Sequence, residues 1–104
     1  MKVMLASLFL AASALAADPE FTIQLHEHRF TPSEVKVPAG VKVKLVIDNQ
    51  DASAEEFDSF ALNREKIVFA NSRGVVFIGP LKPGRYEFIG EFNRQTAIGV
   101  VIAE

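Results

Sequence analysis

The run VKVKLVIDN, Val41 to Asn49, alternates with period two, placing Val41, Val43, Leu45 and Ile47 on one side and Lys42, Lys44, Val46 and Asp48 on the other. This is the pattern of a strand with one buried face, because successive side chains of an extended backbone point to opposite sides. Runs of this kind fill the chain beyond residue 17, each ended by Pro, Gly or a polar turn. Nowhere does a 3.6-residue period last long enough for a substantial helix. Phe21, Ile23 and Leu25 alternate with Thr22, Gln24, His26 and His28 in FTIQLHEH, and Glu34 to Val37 makes a short strand after Pro32. Further extended segments are expected at Glu56 to Leu62, in IVFA and VVFIG, in RYEFIGEF with Tyr86, Phe88 and Phe92 on one face, and in the closing AIGVVIAE. The turns between them are expected at Pro38-Ala39-Gly40, Asn63-Arg64-Glu65-Lys66, Asn71-Ser72-Arg73-Gly74 and LKPG. Seven to eight short strands at this spacing predict an all-β fold, an antiparallel Greek-key sandwich or closed barrel.

The first sixteen residues follow a different pattern. Lys2, an apolar run from Val3 to Leu10 and the small residues leading to Ala14-Leu15-Ala16 read as a secretory signal peptide over 1–16, with cleavage near Ala16. The apolar run is too short to span a bilayer, so no direct membrane anchor is expected. One domain, 17–104, remains, and its expected location is the periplasm.

Residues 17–104 carry ten basic and thirteen acidic side chains, a formal charge of −3. Scattered cations on a mildly acidic chain offer no stripe for nucleic acid and no polybasic membrane patch. The chain has no cysteine, and both methionines, Met1 and Met4, lie in the leader. Disulfides and thiolate ligands are therefore excluded, and a soft Cu(I) carrier is disfavoured. The serines Ser33, Ser53, Ser59 and Ser72 show no accompanying base and orienter, and no Gly-rich phosphate loop precedes a helix, so hydrolase or transferase chemistry finds no support.

A strand ending in F-x-P, the PAG turn, VKVKLVIDN, then PG-x-Y-x-F and a closing G-x-x-I strand together resemble the cupredoxin fold. In that family a copper cysteine and histidine follow the tyrosine strand, a methionine comes soon after, and another histidine follows an earlier strand. On this chain the cysteine position corresponds to Gly90, the later histidine to Asn93 and the earlier histidine to Glu55, so no type 1 copper site is expected. The stretches NQDASAEEFDSFALNREKIV, FIGPLKPGRYEFIGEFN and TAIGVVI are similar to the EfeO-type branch of cupredoxin-like domains. That resemblance implies a part in bacterial iron uptake, beside a periplasmic iron-binding protein and a high-affinity iron permease complex. It implies iron or copper as the bound ion, with an accessory ferroxidase role as one form of the activity. Metal-binding members often place an Asp and a His at the corner where this chain has Gly90 and Asn93, whereas Glu91 matches the acidic position.

Carboxylates and imidazoles suit Fe(III), Fe(II), Mn(II) or Cu(II). The candidate metal ligands are His28, Glu56, Asp58, Glu65 and Glu91, followed by Glu55 and His26. In an extended segment Glu56 and Asp58 share a face and Glu55 takes the other. The same acids also fit a solvated edge strand, with Glu65 paired to Arg64, Lys66 or Arg85, and the two histidines also fit an exposed strand face. A metal-free adaptor, docking its acidic surface on a basic partner, is the alternative function.

Overall fold

Val43, Leu45 and Ile47 are buried, as their alternation requires, and they lie on the strand around which one sheet is built, whereas Val41, expected on the same side, precedes the strand and is exposed. The computed structural model describes residues 17–104, so the expected signal peptide lies outside the described residues. Nine strands follow in order: β1 (Glu20–His26), β2 (Arg29–Thr31), β3 (Glu34–Val37), β4 (Val43–Asn49), β5 (Glu55–Ser59), β6 (Arg64–Val68), β7 (Ser72–Ile78), β8 (Gly84–Gly90) and β9 (Ile98–Ala103), with one 3-10 turn at Glu91–Asn93. A four-stranded sheet in the order β2-β1-β4-β7 faces a five-stranded sheet in the order β3-β9-β8-β5-β6. The expected all-β sandwich is the fold, with one strand more than the alternation suggested.

Two pairings are parallel, β1 with β4 and β3 with β9, so the sheets are mixed rather than wholly antiparallel. The cause is connectivity: β3 belongs to the opposite sheet, and the chain returns from it to run beside β1 in the same direction. The inner faces enclose one core, in which Phe30, Phe57 and Phe88 meet. Phe30 packs edge-on to Phe88 with centroids 5.1 Å apart, and Phe57 and Phe88 lie tilted at 4.9 Å. Such pairs each add about 0.5–1.5 kcal/mol beyond the area they bury.

Several boundaries differ from the pattern reading. Strand β5 ends at Ser59, and the turn is Phe60 to Asn63, so Arg64, Glu65 and Lys66 belong to strand β6. Asn63 takes the left-handed conformation (φ 52°) that Asn tolerates better than most residues. Ser72 to Gly74 likewise belong to β7 rather than to the turn before it. Strand β8 stops at Gly90, and Phe92 lies on the 3-10 turn, off the face of Tyr86 and Phe88. Val46 is buried although it lies on the outer side of β4, flanked in register by Thr22 of β1 and Val75 of β7.

Candidate functional site

Strand β5 divides its acids by alternation. Glu55, Phe57 and Ser59 point inward and Glu56 and Asp58 outward. Glu55 is 2% exposed, an uncommon position for a carboxylate. Its Oε1 accepts the backbone N–H of Phe92 at 2.7 Å and that of Glu56 at 3.0 Å, and its Oε2 accepts the Asn93 side-chain amide at 2.6 Å. Three N–H donors thus replace the water that burial removed. Gly90 completes the cluster: a Cβ there would lie 2.7 Å from the Glu55 carboxyl carbon and 2.6 Å from the Ala97 Cβ. Its φ of −90° is open to any residue, so glycine is required by the close approach of Glu55 and not by backbone conformation.

The three positions that the resemblance aligned with copper ligands therefore do meet in space, as Glu55, Asn93 and Gly90. They do not fit type 1 copper. Both carboxylate oxygens already accept hydrogen bonds, the amide is turned to donate, and glycine brings no ligand and leaves no room for one.

Outside this pole, on the solvent face of the same sheet, Asp58 of β5 stands directly opposite Glu65 of β6 in the register. Carboxylate oxygens of Glu56, Asp58 and Glu65 lie within 4.8 Å of one another. Like charges placed opposite each other destabilise a sheet. Among the described residues no Lys, Arg or His nitrogen approaches any of the three within 4.0 Å. The pairings considered for Glu65 do not form. Arg85 contacts Glu34 at 3.7 Å, and Arg64 spends its donors on the carbonyls of Phe77 and Asn63. Lys66 makes no ion pair within that distance. Partial desolvation, and then the charges of Glu65, Asp58, Glu91 and Glu55 in that order, hold the Glu56 carboxyl above the usual carboxylate range. Glu91 adjoins the group but is engaged: Arg94 donates to both of its oxygens at 2.7 Å, and that hydrogen bond holds the Glu91 carboxyl below its ordinary value.

The histidines belong to a different cluster. His26 ends β1, while His28 lies in the turn to β2 with φ 59°, so the two do not share a strand face. Asp51 organises that turn by accepting the backbone N–H of Glu27 at 2.7 Å and of His28 at 3.0 Å. Its oxygens also approach His28 Nδ1 at 3.5 Å and His26 Nδ1 at 3.9 Å. Of the seven candidate ligands, Glu56, Asp58 and Glu65 converge, Glu91 stands beside them, Glu55 is sealed in the pole, and His26 and His28 gather around Asp51. Sequence reading missed Asp51 and Asn49, whose side-chain amide donates to the carbonyls of Ser53, Val68 and Phe69 and ties β4 to the end of β6. A polar residue at the end of an apolar strand was the only sequence signal for Asn49, and Asp51 in its loop gave none.

A model of the cupredoxin-like domain matches residues 1–103. The chain belongs to the cupredoxin-like domain family. This cupredoxin-like domain is 43% identical over 83 residues to an uncharacterized protein of Rickettsia prowazekii, a match that covers 80% of this chain and 66% of that one. The chain thus spans just under two thirds of that relative's length. Its fold is similar to that of auracyanin A, a blue copper protein from Chloroflexus aurantiacus, with a TM-score of 0.72 and 15% identity over 85% of this chain and 100% of the other. It is equally similar to the metal-binding domain of a Cu(I)-exporting P-type ATPase from Streptococcus pneumoniae, with a TM-score of 0.72 and 15% identity over 82% of this chain and 84% of that one. At these identities the likeness is one of fold alone.

Proposed function

We propose that this cupredoxin-like domain is a periplasmic protein of the EfeO type. In this reading it holds a hard metal ion, iron before copper, on the carboxylates of Glu56, Asp58 and Glu65, and passes it to an iron-binding partner or a permease complex. The observation that carries this reading is the convergence of three carboxylates within 4.8 Å, with no cation paired to any of them among the described residues. Oxygen donors of this kind suit Fe(III) and Fe(II), and a bound cation would convert their mutual repulsion into attraction. Three carboxylates favour Fe(III) over Fe(II), which assists oxidation by stabilising the product ion. The electron released in that step needs an acceptor, oxygen or a redox partner. Glu91 adjoins the site as a further ligand once Arg94 releases it. The sealed pole supports the same reading, since Glu55, Asn93 and Gly90 leave the outer carboxylates as the available donors. Export to the periplasm rests on the leader pattern of residues 1–16.

Calorimetric titration of the tag-free protein with Fe(II), Fe(III), Cu(II) and Mn(II) tests this. Saturable binding near one equivalent is expected, lost in the double variant Glu56→Gln, Asp58→Asn. No heat with any of the four ions would reject the metal site and leave the metal-free adaptor.

A further inference from the structure

Phe60 is fully exposed, at 101% of the reference surface, in the turn between β5 and β6. The turn that presents it is built rigidly. Ser59, buried beside it, donates from Oγ to the Glu87 carbonyl at 2.6 Å and accepts the Leu62 N–H at 3.0 Å, while Leu62 itself enters the core. Leaving a Phe in water forgoes the stabilisation that burying it would contribute. Nothing among the described residues covers the ring. The ring stands between two shallow clefts, of about 350 Å³ on the β8 side and 480 Å³ on the β6 side, and Phe60 and Asp58 wall both. Glu87 lines the first and Glu65 the second. Neither these two acids nor Asp58 has an ion-pair partner among the described residues; Arg94, which lines the first cleft, is paired with Glu91, and Arg64, which lines the second, hydrogen-bonds backbone carbonyls and leaves Asp58 and Glu65 in excess there.

An exposed aromatic face with a carboxylate on either side suits a cationic side chain, which gains from the ring and from the charge together. Glu65 and Glu87 lie on the strands that flank β5, offset by two residues in register, hence about 12 Å apart at the usual strand spacing and rise. Alternate residues of an extended chain point the same way about 7 Å apart, and long Arg or Lys side chains cover the difference. We infer that Phe60 is the centre of a docking face for an extended basic segment of a partner protein, with one Arg or Lys in each cleft and the ring between them. Nucleic acid is repelled by the same carboxylates. The face shares Asp58 and Glu65 with the metal site but depends on Phe60 and Glu87, which that site does not use.

The test uses the full chain in chelator-containing buffer, so that no metal contributes, with the peptide acetyl-Gly-Arg-Gly-Arg-Gly-amide as probe and its glutamine counterpart as control. Backbone amide shifts are expected to move at Ser59 to Glu65 and Glu87 to Ile89 with the arginine peptide only. Phe60→Ala should weaken binding about five-fold, the loss of one cation–π contact, and Glu87→Gln should weaken it as well. Glu56→Gln, which damages the metal site, should leave peptide affinity within about two-fold. Shifts spread evenly over all acidic surfaces, shifts centred on Phe69 or Phe92, or an unchanged affinity in Phe60→Ala would each overturn the docking face. Because metal is absent from this assay and peptide from the calorimetry, either proposal can fail alone.

Discussion

Glu55 and Glu56 are neighbours in the chain, and the sheet gives them opposite surroundings. Glu55 faces the pole, almost without solvent, with three N–H donors on its oxygens. Glu56 faces outward into a ladder of acids, with like charges for neighbours and no cation paired to it. The buried carboxylate, which would be the more costly to leave unsatisfied, is the one whose hydrogen bonds are complete. Uncompensated repulsion lies instead on the half-exposed face, where water keeps its cost low. A cupredoxin sandwich can thus hold a polar pole without copper, provided the polar groups there satisfy one another.

Breaking the pole should give the largest effect. Asn93→Asp sets a second carboxylate 2.6 Å from Glu55 in place of a donor. Losing a hydrogen bond to a charged group costs about 1.5–3 kcal/mol, and the added like charge increases the loss expected at neutral pH. Urea unfolding measures the loss; an unchanged midpoint would mean that the Asn93 amide does not hold Glu55. Gly90→Ala ranks second. Its methyl group must displace Glu55 or Ala97, and overpacking of this kind costs about 1–3 kcal/mol. A neutral outcome would show that the cluster has slack the geometry denies.

The strands were legible because alternation is a local property: β1, β4 and β8 each bury the side that their pattern marks, whereas β7 and β9 are apolar on both sides and leave Val75, Phe77 and Ile98 exposed. The separation of Glu55 from Glu56 and Asp58 followed from the same rule. What the pattern could not supply was long-range. Whether Asp58 faces Glu65 depends on the β5–β6 register, and NREK reads as a turn until Leu62 is seen to enter the core and move the turn back to Phe60. Two residues after His26, His28 reads as part of the same strand. Asp51, more than twenty residues away, holds it in the turn instead. Pairing direction was equally hidden, since the parallel neighbours β1 and β4 arise from a crossover through the other sheet.

The open ladder should give the smallest effect and the sharper test of the contrast. Glu56 has a carboxyl pKa raised above its ordinary value, chiefly by desolvation and then by its acidic neighbours. A raised folded-state pKa contributes stability that is fully present below the unfolded value and is lost as pH rises through the folded one. At neutral pH Glu56 is therefore ionised and in its less stable regime. Glu56→Gln removes one charge and should raise Tm slightly there, with the gain disappearing at acid pH, below about pH 4, where the wild-type Glu56 carboxyl is itself protonated. Glu91 runs the other way: its lowered pKa gives stability that is present above the carboxylate range and lost as pH falls, so Arg94 and not Glu56 governs that part of the acid limb. If a hard cation occupies Glu56, Asp58 and Glu65, saturating metal should raise the wild-type Tm and reverse the order of the two proteins at neutral pH. Linkage sets the wild-type increment at about 2.7 kcal/mol when free metal is 100-fold above Kd. A gain in Glu56→Gln that is the same at every pH and unaffected by metal would show that Glu56 is an ordinary solvated side chain, and the ladder would lose its claim as a site.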